Sequence, residues 1–200
     1  MKIDFELPKD KKYHQFCQKC HSENVHRIFK KEKTYYECSD CRTVSERMIV
    51  IDPKVKWWID KKTNEYWHES VGAFLINKKK EILLFKRIIY PFAYTLPAGH
   101  IDTGNRPLAA VKKELLEETG LKVKKLKLFS KENVIGDKCR RGADNHLWHL
   151  YIAHVSNNIE IKINDEGIRP IWIALDKALS KKLVYPLRYF IEKYGNKLLK

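Results

Sequence analysis

Residues 99–121 read GHIDTGNRPLAAVKKELLEETGL and carry three carboxylates, Glu114, Glu117 and Glu118, at spacings i, i+3 and i+4. On a helix of 3.6 residues per turn these fall on one face. Like charges so spaced repel and destabilise a bare helix; a hard divalent cation, which takes oxygen ligands, is a reason to tolerate them. Asn105 or Arg106 is placed to be the N-cap, with Pro107 in the first turn, where its missing N–H costs nothing. Leu108, Val111 and Leu115 predict an apolar stripe beside the acids. Gly120 offers a left-handed stop. Gly99 and Gly104 predict a loop folded back tightly onto the helix.

This stretch resembles the Nudix box: Gly, five residues, Glu, seven residues, then Arg-Glu-apolar-any-Glu-Glu-any-Gly-apolar. Gly99, Glu114, Leu115, Glu117, Glu118, Gly120 and Leu121 match in register, while Asn105 and Lys113 stand where the family has Glu and Arg. The flanking runs HESVGAFLIN (68–77), EILLFKR (81–87) and LPAGH (96–100) fit the same family. The implied fold class is α/β (α+β): a Nudix α/β/α sandwich with a mixed sheet. The implied chemistry is Mg²⁺- or Mn²⁺-dependent hydrolysis of a pyrophosphate bond in a nucleoside diphosphate linked to another moiety, such as NAD(H), ADP-ribose, a nucleotide or an RNA 5′ end. By the same resemblance Glu114, Glu117 and Glu118 carry the metals, with help from backbone near Ala98 or Gly99. Glu118, or a loop acid such as Glu166 with Asp165 next in line, orients the attacking water.

The two departures bear on activity. In the family the Glu and Arg tie the loop to the helix; an Asn105–Lys113 pair could hydrogen-bond instead, but lysine is a point charge and not a planar fork. A catalytically weak or inactive Nudix-fold protein that binds nucleotide or RNA is therefore the alternative, and a zinc-ribbon adaptor that contacts another protein is a third.

Upstream, Cys17, Cys20, Cys38 and Cys41 form two CxxC pairs. Each can present two thiolates from a tight knuckle, and two knuckles complete a tetrahedron. The strand-like runs RIFKK and TYYEC lie between them, and the pattern resembles a zinc ribbon. One structural zinc is expected, closed to chemistry because all four positions are filled. Spacing alone also admits a four-thiolate iron site. No βαβ context supports a redox CxxC. His14, His21 and His26 read as surface histidines, and Cys139 as an ordinary free thiol. The expected domains are a zinc ribbon over 1–48 and a Nudix domain over 49–200. Ribbon followed by Nudix looks like the NADH pyrophosphatase branch, but that branch's SQPWPFPxS signature is missing downstream of Leu121.

The 200 residues hold 40 basic and 25 acidic side chains, a formal charge of +15. Four thiolates on one Zn²⁺ would lower this to about +13. Such a balance favours phosphates, as nucleotides or RNA, without naming one. The ribbon's own eleven Lys/Arg against eight Asp/Glu argue less strongly for nucleic acid. No run approaches the ~20 apolar residues of a membrane helix, and the first residues lack an apolar signal core. The reading is a cytoplasmic protein, monomer or homodimer.

The rest of the chain predicts strands at MIVID, ended by Pro53, at LKVKKLKLFSK, HLWHLYIAHV, IEIKI and RPIWI, and a helix over roughly 185–199 with Leu187, Phe190 and Ile191 inward. Trp57 and Trp58 point to opposite sides of an extended chain and are expected to seal the seam between the domains. Lys86 and Arg87 face a phosphate or water. Tyr90, Phe92 and Tyr94 are candidates to wall a base pocket. Arg140 and Arg141 are candidates to clamp a phosphate bidentately.

Overall fold

The computed structural model describes residues 1–156 and 159–200. Its first part is built from β1 (His14–Phe16), β2 (Val25–Lys30), β3 (Lys33–Cys38), β4 (Val44–Ser45) and β5 (Ile49–Ile51). Strands β2, β3 and β4 form one antiparallel sheet, and β1 pairs with β5 in a second. The chain on both sides of position 48 therefore shares a sheet, and β5 closes the ribbon as it leaves it.

The second part holds β6 (Trp57–Ile59), β7 (Tyr66–Ile76), β8 (Glu81–Arg87), β9 (Tyr94–Thr95), β10 (Ala98–His100), α1 (Pro107–Thr119), β11 (Lys127–Ile135), β12 (Asn145–His154), β13 (Gly167–Ala174), α2 (Leu175–Ala178) and α3 (Tyr185–Tyr194). The main sheet runs β11-β12-β7-β8-β13, with β6 and β10 added to β7 and β9 to β8. It is mixed: β7 and β12 are parallel, and the other neighbours antiparallel. Strand β7 is buried along nearly its whole length because both of its faces are covered. Val71, Ala73 and Leu75 pack with Val111 and Leu115 of α1. Phe74 and Ile76 pack with Leu187, Phe190 and Ile191 of α3. Val111 and Leu115 are fully shielded, and each such burial contributes about 1.5–3 kcal/mol. The result is the layered α/β/α arrangement with a mixed sheet.

Several local expectations shift. The strand expected over 121–131 begins at Lys127 and continues to Ile135, so it is shifted toward the C-terminus by several residues. IEIKI forms no strand: its isoleucines are half-buried and its charges exposed, but Lys162 N–H donates to Thr119 O at the end of α1. Leu108 is exposed rather than part of the apolar stripe. The last helix turns from α to 3₁₀ at Gly195.

The two parts are tied at a specific place. Met48 N–H and Val50 N–H donate to Arg140 O and Arg141 O at 3.1 and 3.0 Å, and Thr34 N–H donates to Ile88 O at 3.2 Å. Trp57 packs edge-on against Tyr66 in the cluster joining the two parts, as a seam residue should, whereas Trp58 stacks on Trp67. Among the described residues no helix is long and apolar enough to cross a membrane.

Candidate functional site: a carboxylate cavity beside the ribbon

Helix α1 begins at an Arg106 N-cap with Pro107 in its first turn and ends at Gly120, φ 72°. Its acids stand at one end of the sheet, on a cavity of about 340 Å³ whose lining includes Glu114, Glu117, Glu118, Gly99, Glu166 and Arg87. Glu118 is 5 % exposed and accepts the Ala98 N–H at 2.7 Å. Burial, against the pull of Arg87 and with a push from Glu114, raises its pKa to about 8. Glu114 is raised to about 7, by burial and then by Glu117. A Cβ at Gly99 would run into the Glu114 carboxylate, so only glycine lets loop and acid approach this closely. Glu117 is more exposed, 4.0 Å from Lys113. The three carboxylates line one cavity but do not crowd together as the cysteines do: among the described residues the sets with ligand atoms mutually within 4.8 Å are two others.

The loop tie survives in altered form. Lys113 does not pair with Asn105. Its ammonium donates to Asp102 Oδ2 at 2.7 Å, and Asn105 Nδ2 reaches the same oxygen at 3.4 Å. Asp102 thus supplies the carboxylate that position 105 lacks. Both partners are partly exposed, so Asp102→Asn should cost less than about 1 kcal/mol in denaturant melts. If the acids of α1 hold a divalent cation, the same change should raise the metal concentration needed by about 10-fold or more, as losses of ligand-orienting partners do. An unchanged metal requirement would count against an orienting role.

Glu166 sits in the turn before β13, its N–H on Asn164 Oδ1 at 3.1 Å. Its carbonyl accepts the Ile88 N–H at 3.0 Å. Arg140 and Arg141 both reach the cavity, but neither is a free clamp. Arg140 donates to Glu166 at 3.4 Å and to the ribbon's Tyr36 at 3.5 Å. Arg141 is held by Asp52 at 2.9 Å. Arg87 is the less committed cation: its Nε is shielded from water without a partner. Of the three loop aromatics, Tyr90 lines the cavity. Phe92 instead packs on the ribbon's Tyr35 and Lys33, and Tyr94 packs against the α3 core.

In the ribbon, Cys17 and Cys41, and Cys20 and Cys38, stand with their sulfurs 3.6 Å apart. That is close to the ~3.8 Å edge of a zinc tetrahedron with ~2.3 Å bonds. All four are free thiols, and the set is compatible with zinc.

Cys139 is not the ordinary thiol expected. It lies with His68, His100 and His146 in a second group whose ligand atoms all fall within 4.8 Å of one another. Burial opposes ionisation, but the three imidazoles together hold its thiol well below the usual range. No local spacing signals this group, because its members come from β7, β10, β12 and the loop after β11.

The NUDIX domain family model matches residues 66–194. Nudix hydrolase 26, chloroplastic, of Arabidopsis thaliana is 42% identical over 57 residues, 28% of this chain and 26% of that protein. The RNA pyrophosphohydrolase of Cereibacter sphaeroides is 38% identical over 66 residues, 32% of this chain and 41% of that one. The chain thus spans between about a quarter and two fifths of these relatives. In fold it is similar to the MutT protein from Methanosarcina mazei Go1 (TM-score 0.57, 23% identity, 67% of this chain and 96% of that one). It is similar too to the NUDIX domain of Shewanella oneidensis NrtR complexed with ADP ribose (TM-score 0.56, 22% identity, 70% and 93%). With the box in register on α1 and a family match over most of the chain, this protein belongs to the Nudix family.

Proposed function

We propose that this chain is a Mg²⁺- or Mn²⁺-dependent pyrophosphohydrolase acting on a nucleoside diphosphate linked to another moiety, with one structural zinc in its cysteine module. The observation that carries the reading is the pair of acids, half-buried Glu114 and buried Glu118, raised to about 7 and about 8 in a cavity that also holds Glu117 and Glu166. Carboxylates held from water without an ion-pair partner fit a hard cation. Glu114, Glu117 and Glu118 would hold it. When bound, such an ion neutralises phosphate oxygens and lowers the pKa of water.

The chain's own groups do the rest. Arg87, which lines the cavity, would meet a phosphate oxygen there. Tyr90 supplies an aromatic wall. In this reading Glu166, steadied by Arg140 and by its backbone bond to Ile88, would accept a proton from the attacking water, with Glu118 the other candidate. The basic balance of the chain supports a phosphate compound. Relatives named as RNA pyrophosphohydrolases and a neighbour holding ADP ribose support the nucleotide class. The proposed setting is the cytoplasm, where free thiols persist.

The test is release of nucleoside monophosphate or phosphate from NADH, ADP-ribose, nucleoside triphosphates and capped RNA, with each metal and with none. Turnover should require Mg²⁺ or Mn²⁺, and Glu117→Gln should lower it about 100-fold. Activity indifferent to both would sink the proposal. A second reading, a scaffold that binds nucleotide or RNA without turnover, draws on the separation of the three carboxylates. It predicts binding without products, with affinity falling steeply in salt if RNA is the ligand.

A further inference from the structure

We propose that His68, His100, Cys139 and His146 form a second zinc site, inside the Nudix domain and separate from the cysteine module. His68 and His146 are almost completely buried, 1 % and 2 % exposed. His68 Nδ1 lies 3.1 Å from His100 Nε2 and 3.5 Å from Cys139 Sγ. A tetrahedral zinc with Zn–N of about 2.05 Å and Zn–S of about 2.3 Å has edges of about 3.3 Å (N···N) and about 3.6 Å (S···N). These two separations match the edges such an ion requires, and all four ligand atoms lie within 4.8 Å of one another.

The surroundings fix which nitrogens are available. Tyr66 O–H donates to Val50 O at 2.5 Å, so its oxygen accepts from His68 Nε2 at 2.8 Å. That places the His68 proton on Nε2 and leaves Nδ1 a lone pair toward the cluster. At His146, Nδ1 lies 3.1 Å from Asp137 Oδ2, within ion-pair reach but out of hydrogen-bond alignment. Asp137 is itself held by the Trp148 indole N–H at 2.7 Å, and this leaves His146 Nε2 for the cluster. A carboxylate or hydroxyl behind a histidine is the usual companion of a metal-bound imidazole. One thiolate with three imidazoles suits zinc among the common divalent ions, and magnesium poorly.

Four protein ligands leave no open position, so this ion would hold structure and not react. It would clasp four segments at one end of the sheet. His100 follows Gly99 of the box. Cys139 precedes Arg140 and Arg141, whose carbonyls receive the ribbon's Met48 and Val50 N–H groups. The clasp would fix the glycine loop and the arginine loop relative to one another.

The experiment is elemental analysis of the full chain, purified without chelator, with zinc X-ray absorption on the same sample. The expected result is two zinc ions per chain, with a mean shell of five sulfurs to three nitrogens shared over both ions. Cys139→Ala and His146→Gln should each leave one zinc, now in an all-sulfur shell. A folded wild-type chain with one zinc in an all-sulfur shell would overturn the proposal, as would either folded variant retaining two. The absorption measurement needs no variant, so misfolding of a mutant leaves the test intact. None of these readouts depends on whether the chain hydrolyses anything.

Discussion

Glu118→Gln should lower hydrolysis by about 10²–10⁴-fold, the range for removing a positioned acid or base, and at the same time make the metal-free protein more stable at alkaline pH. Glu118 is raised to about 8 from an ordinary value of 4.5, chiefly by burial. A raised carboxylate favours the folded state in its protonated form. That contribution is complete below about pH 4.5 and is lost as pH climbs through about 8. At pH 9 the ion is mostly formed in a shielded place, at a cost of a few kcal/mol from ~1.4 kcal/mol per pKa unit. Glutamine keeps an oxygen for the Ala98 N–H and carries no charge. The variant should therefore melt about 5–10 °C higher than wild type at pH 9 without metal, and no higher at pH 4. Added Mg²⁺ should stabilise wild type more at pH 8 than at pH 6, and the variant little at either. Equal melting temperatures across this range would show that burial does not strain Glu118 and that it has no need of a cation.

The second large effect is expected in the cysteine module. Cys38 is 1 % exposed, and Cys38→Ser removes one of four sulfurs. Structural zinc binding is worth about 10–16 kcal/mol in small modules at pH 7, and that free energy is also folding free energy. Hydrogen exchange should show β2 and β3 losing protection while β7 and β12 keep theirs. Turnover should also fall, by roughly 10-fold, because Arg140 loses Tyr36 and Ile88 loses Thr34, and both steady Glu166. Intact protection of β2 and β3 in a zinc-free variant would remove the structural role. Full activity with an unfolded module would show that the ribbon does not brace the site.

What the sequence disclosed, it disclosed through short-range order. The box lies within 23 residues of one loop and one helix, and the two CxxC pairs each span four positions, so spacing alone carries them. The Lys113 partner was harder to see. The carboxylate that replaces the family's acid is Asp102, three residues before Asn105, and only the loop's path brings it to the helix. IEIKI alternates as a strand does because one side faces the α1 cluster, but its backbone meets a helix end and no sheet edge. The histidine–cysteine group was invisible for a plainer reason. From His68 to His146 its members are scattered over most of the Nudix domain, and pairing of β7 with β12 brings its two ends side by side, His68 directly opposite His146.

That parallel pairing also constrains how the chain can be made. Strand β7 gains its parallel partner only when residues 145–154 exist, and contacts so distant along the chain close slowly. On a ribosome, which releases the N-terminal end first, the cysteine module can complete itself while β7, apolar on both faces and paired with short β6, still waits for its longest neighbour. A finished ribbon already bound to metal would then be the first ordered surface available to the sheet that forms behind it.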